Sequence, residues 1–381
     1  MKLSRFNLLL ASAFLLCAAH AQAQSTLSHL SYRYFDLGGP TPHASSAWAI
    51  NNVGQVAGGF YSSDNYGQHA SLWNGTSLTD LGDIGGPYSA SSAYGINNRG
   101  QVAGSFTPDG DFSTAHATVW YGGNVTDLGT LGGTYSEASG INNAGAVAVT
   151  SKIHGDGAYH AARWENNVMV NLGTLGGHNS YTSGINNLGQ VVGQSDTRDN
   201  TASHAAIWNG KVATDLGTLG GTNSRATGVN DSGQAVGASY LADNLTEHAT
   251  LWRGGSAFDL GTLGGSNSVA YGINNAGLAV GTASTSGNAD SHATLWIGDQ
   301  VIDLNSFIDP AAAQQGWVLS SAFAINANGW IVGEALNDGW RTNHAFVLEL
   351  VTAPVPEPET WAMMLAGLGM TAWLARRRKA A

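Results

Sequence analysis

Seven histidines recur at one place in a repeating pattern: His69, His116, His160, His204, His248, His292 and His344, each followed by alanine. Seven acidic or amide residues recur beside them, in a D-L-G triplet beginning at Asp36, Asp80, Asp127, Asn171, Asp215, Asp259 and Asp303. Seven imidazoles beside six carboxylates and one amide suggest two chemistries, a metal array or acid–base pairs. Geometry argues against the first. One histidine per repeat opens the third strand of each unit, about 10 Å from the innermost strand at the usual strand spacing, so the seven rings diverge and cannot converge on one ion. Asn171 replaces Asp in one copy, which suits a hydrogen-bonding role within each unit better than an acid–base one.

The elements that must carry these residues follow from the spacing. A G-I-N-N landmark places its Ile or Val at Ile50, Ile96, Ile141, Ile185, Val229, Ile273 and Ile325, and a V-G landmark follows 8 residues later. The period is 44, and nearly all length variation lies between D-L-G and G-I-N-N, where the spacing is usually 14 but 16 in the second copy and 22 in the last. Each period holds four short β-like runs. In the sixth copy they are 268–273, 278–282, 292–296 and 300–304, separated by N-N-x-G and Gly-rich turns. Sustained helical periodicity is confined to the two ends and a short stretch at 310–315. Four strands per 40 to 45 residues is the spacing of a propeller blade. The run Tyr34–Leu37 is a fourth strand without a first three, and the last copy has three strands without a fourth. The expected fold is therefore an all-β, seven-bladed β-propeller over residues 30–350, closed by its N-terminal strand.

The ends differ. Residues 1–23 read as a secretory signal peptide, with Lys2 and Arg5, an apolar run, and small-x-small cleavage sites ending at Ala21 and Ala23. Cys17, the single cysteine, lies within it, so the mature chain is expected to carry neither disulfide nor thiol chemistry. Residues 351–359 form a Pro-rich linker. Residues 360–381 form an apolar helix, short for a transmembrane helix, followed by Arg376, Arg377, Arg378 and Lys379. Six of the 15 Lys and Arg lie in these ends, which leaves nine against 24 to 26 acids in the mature array. Nucleic acid and anionic membrane are poor partners for such a surface, so membrane contact is expected only through the C-terminal segment.

Two resemblances follow from these residues. The tail, with Val355, Pro356, Glu357 and Pro358 ahead of the apolar and basic stretches, resembles the PEP-CTERM sorting signal of Gram-negative bacteria. That resemblance implies an exosortase-type processing protease as partner, transient inner-membrane anchoring, and delivery to the cell surface or exopolysaccharide matrix. The array resembles the HAF family of extracellular repeats, named for the triplet seen here at His344-Ala345-Phe346; this family brings little biochemistry with it.

Function is expected where the copies differ, on the face formed by the second-to-third-strand loops and the connectors between blades. The binding candidates there are Tyr61, Tyr66, Phe112, Tyr159, Tyr240 and Trp340, among many acids. Aromatic and acidic residues together suit glycan, a surface protein, or Ca2+ held by oxygen ligands, although no full D-x-[DN]-x-[DN]-G series occurs. No cofactor is implied, no metal is assigned, and no catalytic residue is identified. GTLGG lacks the Lys-Ser/Thr of a phosphate loop. The reading is an exported, non-catalytic repeat protein that binds glycan or protein through one loop face. The alternative is an extracellular propeller enzyme, a hydrolase or lyase acting on polysaccharide, which would need two suitably spaced carboxylates.

Overall fold

The computed structural model describes residues 30–38, 44–61, 67–82, 89–108, 111–337 and 342–351. The expected signal peptide, the expected C-terminal apolar helix and all of the expected linker but residue 351 lie outside the described residues. Residues 32–349 form seven four-stranded antiparallel sheets, the blades of a β-propeller. In blade 4 the strands are Gly176–Ile185, Val191–Thr197, Ser203–Asn209 and Val212–Asp215, innermost first. Blade 7 is completed from the other end of the chain. Tyr32–Asp36 pairs with Thr342–Leu350 as its outermost strand, and the Leu37 amide donates to the Ala345 carbonyl at 2.9 Å. The ring therefore closes as the two orphan strands required. The long last connector folds partly into a short helix, Pro310–Gln314, capped by the Asp309 carboxylate.

In blades 3 to 6 the innermost strands are longer than the sequence pattern suggests. In blade 6 the strand is Gly264–Ile273 rather than 268–273, because the G-G pair joins it. A Cβ on Gly265 would lie 2.5 Å from the Thr285 carbonyl oxygen, so only glycine lets the chain pass this close to its neighbour.

The N-N-x-G turns do more than reverse the chain. Asn51 caps its own turn, its Oδ1 accepting from the Val53 and Gln55 amides, and its Nδ2 donates to the Asn97 carbonyl of blade 2 at 3.1 Å. The same bond runs from Asn97 to Asn142, Asn186, Asn230, Asn274 and Asn326, and Asn326 returns to the Asn51 carbonyl at 3.0 Å. Seven inter-blade bonds thus form a closed circle. The second Asn makes a partial outer tier: the Asn52, Asn98, Asn143, Asn187 and Asp231 amides each donate to the side chain of the next blade's residue. Ala327 has no such side chain, and the tier is interrupted there.

The tryptophans join neighbouring blades through packing. Trp73 of blade 1 is fully buried against Val332, Ala345 and Val347 of blade 7, and Trp208 of blade 4 packs against Ala148, Ala161 and Leu172 of blade 3. Each such side chain is worth about 3–5 kcal/mol against alanine. A recurring serine adds a polar staple, as where Ser180 Oγ accepts from the Ala161 amide at 2.8 Å and donates to the Gly173 carbonyl.

Asn142→Asp tests the circle. It keeps the oxygen that caps the turn and removes the donor to the Asn186 carbonyl. Leaving that buried acceptor unpaired should cost about 1–3 kcal/mol, read as a lower Tm and denaturant midpoint. Unchanged stability would show that the circle contributes nothing.

Candidate functional site

The histidines are accounted for by pairing. His69, His116, His204, His248 and His292 each place Nδ1 2.7–2.8 Å from the D-L-G carboxylate of the same blade. His160 pairs with the Asn171 amide, and His344 pairs with Asp36 on the closing strand at 3.0 Å. The other carboxylate oxygen accepts from the glycine amide two residues on, as in Asp215 to Gly217 at 2.8 Å. Each pair fastens the third strand to the fourth. Among the described residues, no group of three or more His, Cys, Asp or Glu is placed to hold a metal ion.

The sites that differ between blades are positioned by a backbone defect. In every blade the ladder between the first two strands slips by one residue two positions before the G-I-N-N isoleucine. In blade 4, Thr182 opposes Gly193 and Gly184 opposes Val192, which leaves Ser183 as the extra residue of a β-bulge. A bulge re-aims one side chain out of the alternation of its strand. The seven extra residues are Trp48, Tyr94, Ser139, Ser183, Thr227, Tyr271 and Phe323. In six blades the V-G glycine admits a close carbonyl beside the bulge, since a Cβ on Gly193 would sit 1.9 Å from the Tyr181 carbonyl oxygen and one on Gly58 2.0 Å from that of Ser46. Blade 3 carries Val149 at this position and keeps the same register.

All seven bulge residues line one cavity of about 330 Å³ on the ring axis, with Glu137, Thr150 and Thr182. A separate cavity of about 230 Å³, lined by the I-N-N residues of the blades, lies at the turn end of the same strands. The bulge residues precede the isoleucines, so the first cavity lies toward the connector and loop face. It is two-sided. Blades 6, 7, 1 and 2 present Tyr271, Phe323, Trp48 and Tyr94, an uninterrupted aromatic arc. Blades 3, 4 and 5 present Ser139, Ser183 and Thr227. Trp48 and Tyr94 have ring centroids 5.1 Å apart, and Tyr271 and Phe323 5.3 Å apart.

A second aromatic group adjoins Glu137. The Tyr135 hydroxyl donates to Glu137 Oε2 at 2.5 Å; Tyr135 meets Tyr159 edge-on, and Tyr159 stacks on Tyr181, both at 5.6 Å between centroids. Lys152 Nζ lies 5.6 Å from the Tyr159 ring centre. Tyr61, exposed, lines a recess of about 320 Å³ with Tyr94, Tyr135 and Glu137. Burial, then the Glu137 charge, pushes the Tyr94 phenol up to about 12. The same two causes raise Tyr135 well beyond the usual phenol range.

Of the loop candidates, Tyr61 and Tyr159 therefore belong to one connected surface. Tyr240, half-buried on blade 5, stands opposite Glu247 in the ladder and outside that surface. Phe112 opens a short 3-10 helix, Phe112–Thr114, capped by Asp111. Tyr66 and Trp340 lie outside the described residues. Sequence reasoning missed Tyr135, Tyr181, Glu137 and all seven bulge residues. The signal was available: the bulge position is the one strongly variable letter between small residues just ahead of I-N-N.

The comparisons with known proteins add an address and a fold. The PEP-CTERM protein-sorting motif matches residues 354–379. No curated protein matches the chain. Among solved structures, the β-propeller domain of the Trilobed protease from Pyrococcus furiosus, described as having an open velcro topology, is similar over 82% of this chain and 99% of that chain, with a TM-score of 0.52 and 9% identity. TolB from Acinetobacter baumannii matches over 54% of this chain at 13% identity and a TM-score of 0.40, and this chain spans only 50% of that one. A putative TolB from Agrobacterium tumefaciens covers 70% of this chain and 97% of its own, at 12% identity and a TM-score of 0.41. The likeness to the Trilobed protease domain is one of fold alone. The tail motif implies export, transient membrane anchoring and exosortase processing. No helix among the described residues is long and apolar enough to cross a membrane.

Glu137→Gln removes the charge that raises Tyr94 and Tyr135. In an ultraviolet titration of tyrosinate, the latest-ionising tyrosines should then ionise at lower pH. An unchanged titration would separate Glu137 from these phenols.

Proposed function

We propose that the mature chain is a non-catalytic surface or matrix protein of the HAF-repeat kind that binds glycan through its loop face. The observation that carries this reading is the connected surface of Tyr61, Tyr135, Tyr159 and Tyr181 around Glu137, beside the axial cavity. Tyrosine offers a flat apolar ring for the C–H face of a sugar and a hydroxyl at its edge. A carboxylate accepts from sugar hydroxyls. The acidic surface disfavours polyanionic ligands and favours neutral glycans. Delivery to the exopolysaccharide matrix would place the chain beside such polymers.

The enzymatic alternative needs a second carboxylate near the first. Among the described residues lining the axial cavity, Glu137 is the one acid. A glycan array combined with a panel of hydrolase and lyase substrates, run on the mature protein, tests both readings. Binding without turnover, weakened roughly tenfold or more by Tyr159→Ala with Tyr181→Ala, is expected. Turnover abolished by Glu137→Gln would assign an enzyme instead.

A further inference from the structure

We propose that the axial cavity is a pocket for a single pyranose at the end of a glycan chain, seated between the aromatic and hydroxyl arcs. This rests on the glycan reading above and names which part of the polymer the protein grips.

The seven blades share a backbone but not this position. Four consecutive blades supply aromatic rings, and the other three supply hydroxyls, so the cavity has an apolar half and a polar half. A pyranose has the same division, with C–H bonds on its faces and hydroxyls around its rim. All seven side chains are half-buried, which shields a guest from bulk water while leaving a path from the loop face.

The polar half has a defined hydrogen-bonding character. Ser139 Oγ donates to Thr182 Oγ1 at 2.8 Å, and Thr227 Oγ1 donates to the Ala270 carbonyl at 2.6 Å. Their protons are engaged, so each offers only acceptor lone pairs to a guest. Ser183, between them, lines the same wall, and its hydroxyl can donate or accept. Glu137 adds acceptors at the rim. A guest with several hydroxyl donors along one edge fits this set, and a sugar edge supplies them. A wholly apolar guest would strip water from the Ser183 hydroxyl and from the Glu137 carboxylate without replacing it, at a cost.

The shape of the site selects a chain end. The cavity lies on the axis and is walled by all seven innermost strands, so a polymer cannot lie across it as it can across an open groove. One terminal residue can enter, and the following residues would pass over Tyr135, Tyr159 and Tyr181 beside Glu137.

The test is calorimetric titration of the mature protein with methyl pyranosides of glucose, galactose, mannose and N-acetylglucosamine, and with the array's best-bound polysaccharide before and after exoglycosidase trimming. At least one pyranoside should bind, Ser183→Phe should abolish that binding by filling the cavity, and Tyr271→Ala should weaken it roughly tenfold. Tyr159→Ala should leave the pyranoside affinity unchanged while weakening the polysaccharide. Tyr271→Ala keeps the test valid if Ser183→Phe does not fold. Polysaccharide binding that ignores both cavity variants, with no pyranoside bound, would overturn the pocket and leave the glycan reading intact. No binding of any glycan would overturn both.

Discussion

The structure depends on a circle of asparagine amides. Each first Asn of the N-N-x-G turn uses its oxygen to hold its own hairpin and its nitrogen to hold the next blade. The circle closes only if every blade contributes, and it needs an amide: a carboxylate has no donor, and a hydroxyl carries donor and acceptor on one atom, whereas here the oxygen holds the turn and a separate nitrogen reaches the next blade. This explains why the residue is Asn in all seven copies while the second Asn becomes Asp231 once and Ala327 once. Asp231 remains compatible because Asn187 and Asn275 donate to its free oxygen, and these bonds outweigh burial to hold its pKa below the usual carboxylate value. Cys17 is the single cysteine of the sequence, so no disulfide can form within the chain, and these bonds and the inter-blade tryptophans carry the ring without a covalent cross-link.

The same regularity separates scaffold from site. In six blades a glycine opposite the bulge lets a carbonyl approach, blade 3 keeps the same register with Val149, and the bulge turns toward the axis one residue whose type differs around the ring. The histidines illustrate the reverse case. They repeat, and each is engaged in fastening two strands of its own blade, or in the last case the closing strand. What looked like seven copies of a site is seven copies of a clamp, and the residue that changes type around the ring is the one at each blade's bulge.

Much of this was legible in the sequence, for physical reasons. Period and strand count follow from Gly, Asn and Asp at turns and β-branched or aromatic residues between them. Closure follows from two orphan strands, Tyr34–Leu37 and the last HA strand. Of the candidates placed in the second-to-third-strand loops, Tyr61 ends a second strand and Tyr159 begins a third, and both adjoin the aromatic group around Glu137. The axial residues were not read because a strand is assumed to alternate. The bulge breaks that alternation, and nothing in an isolated W-A-I-N or Y-G-I-N marks the first letter as facing a cavity. Tyr135 and Tyr181 were missed because the first strand begins earlier than its β-branched residues indicate, at a glycine pair that propensity assigns to a turn.

The central claim is that repeated residues build the ring and the bulge residues meet the ligand. Hydrogen exchange of the mature protein, with and without its best-bound glycan, tests it most directly. The account predicts added protection along the first strands near Tyr94, Glu137, Ser183 and Tyr271, with no change at the N-N-x-G turns. Protection confined to the asparagine-lined cavity at the opposite end of the axis would contradict it.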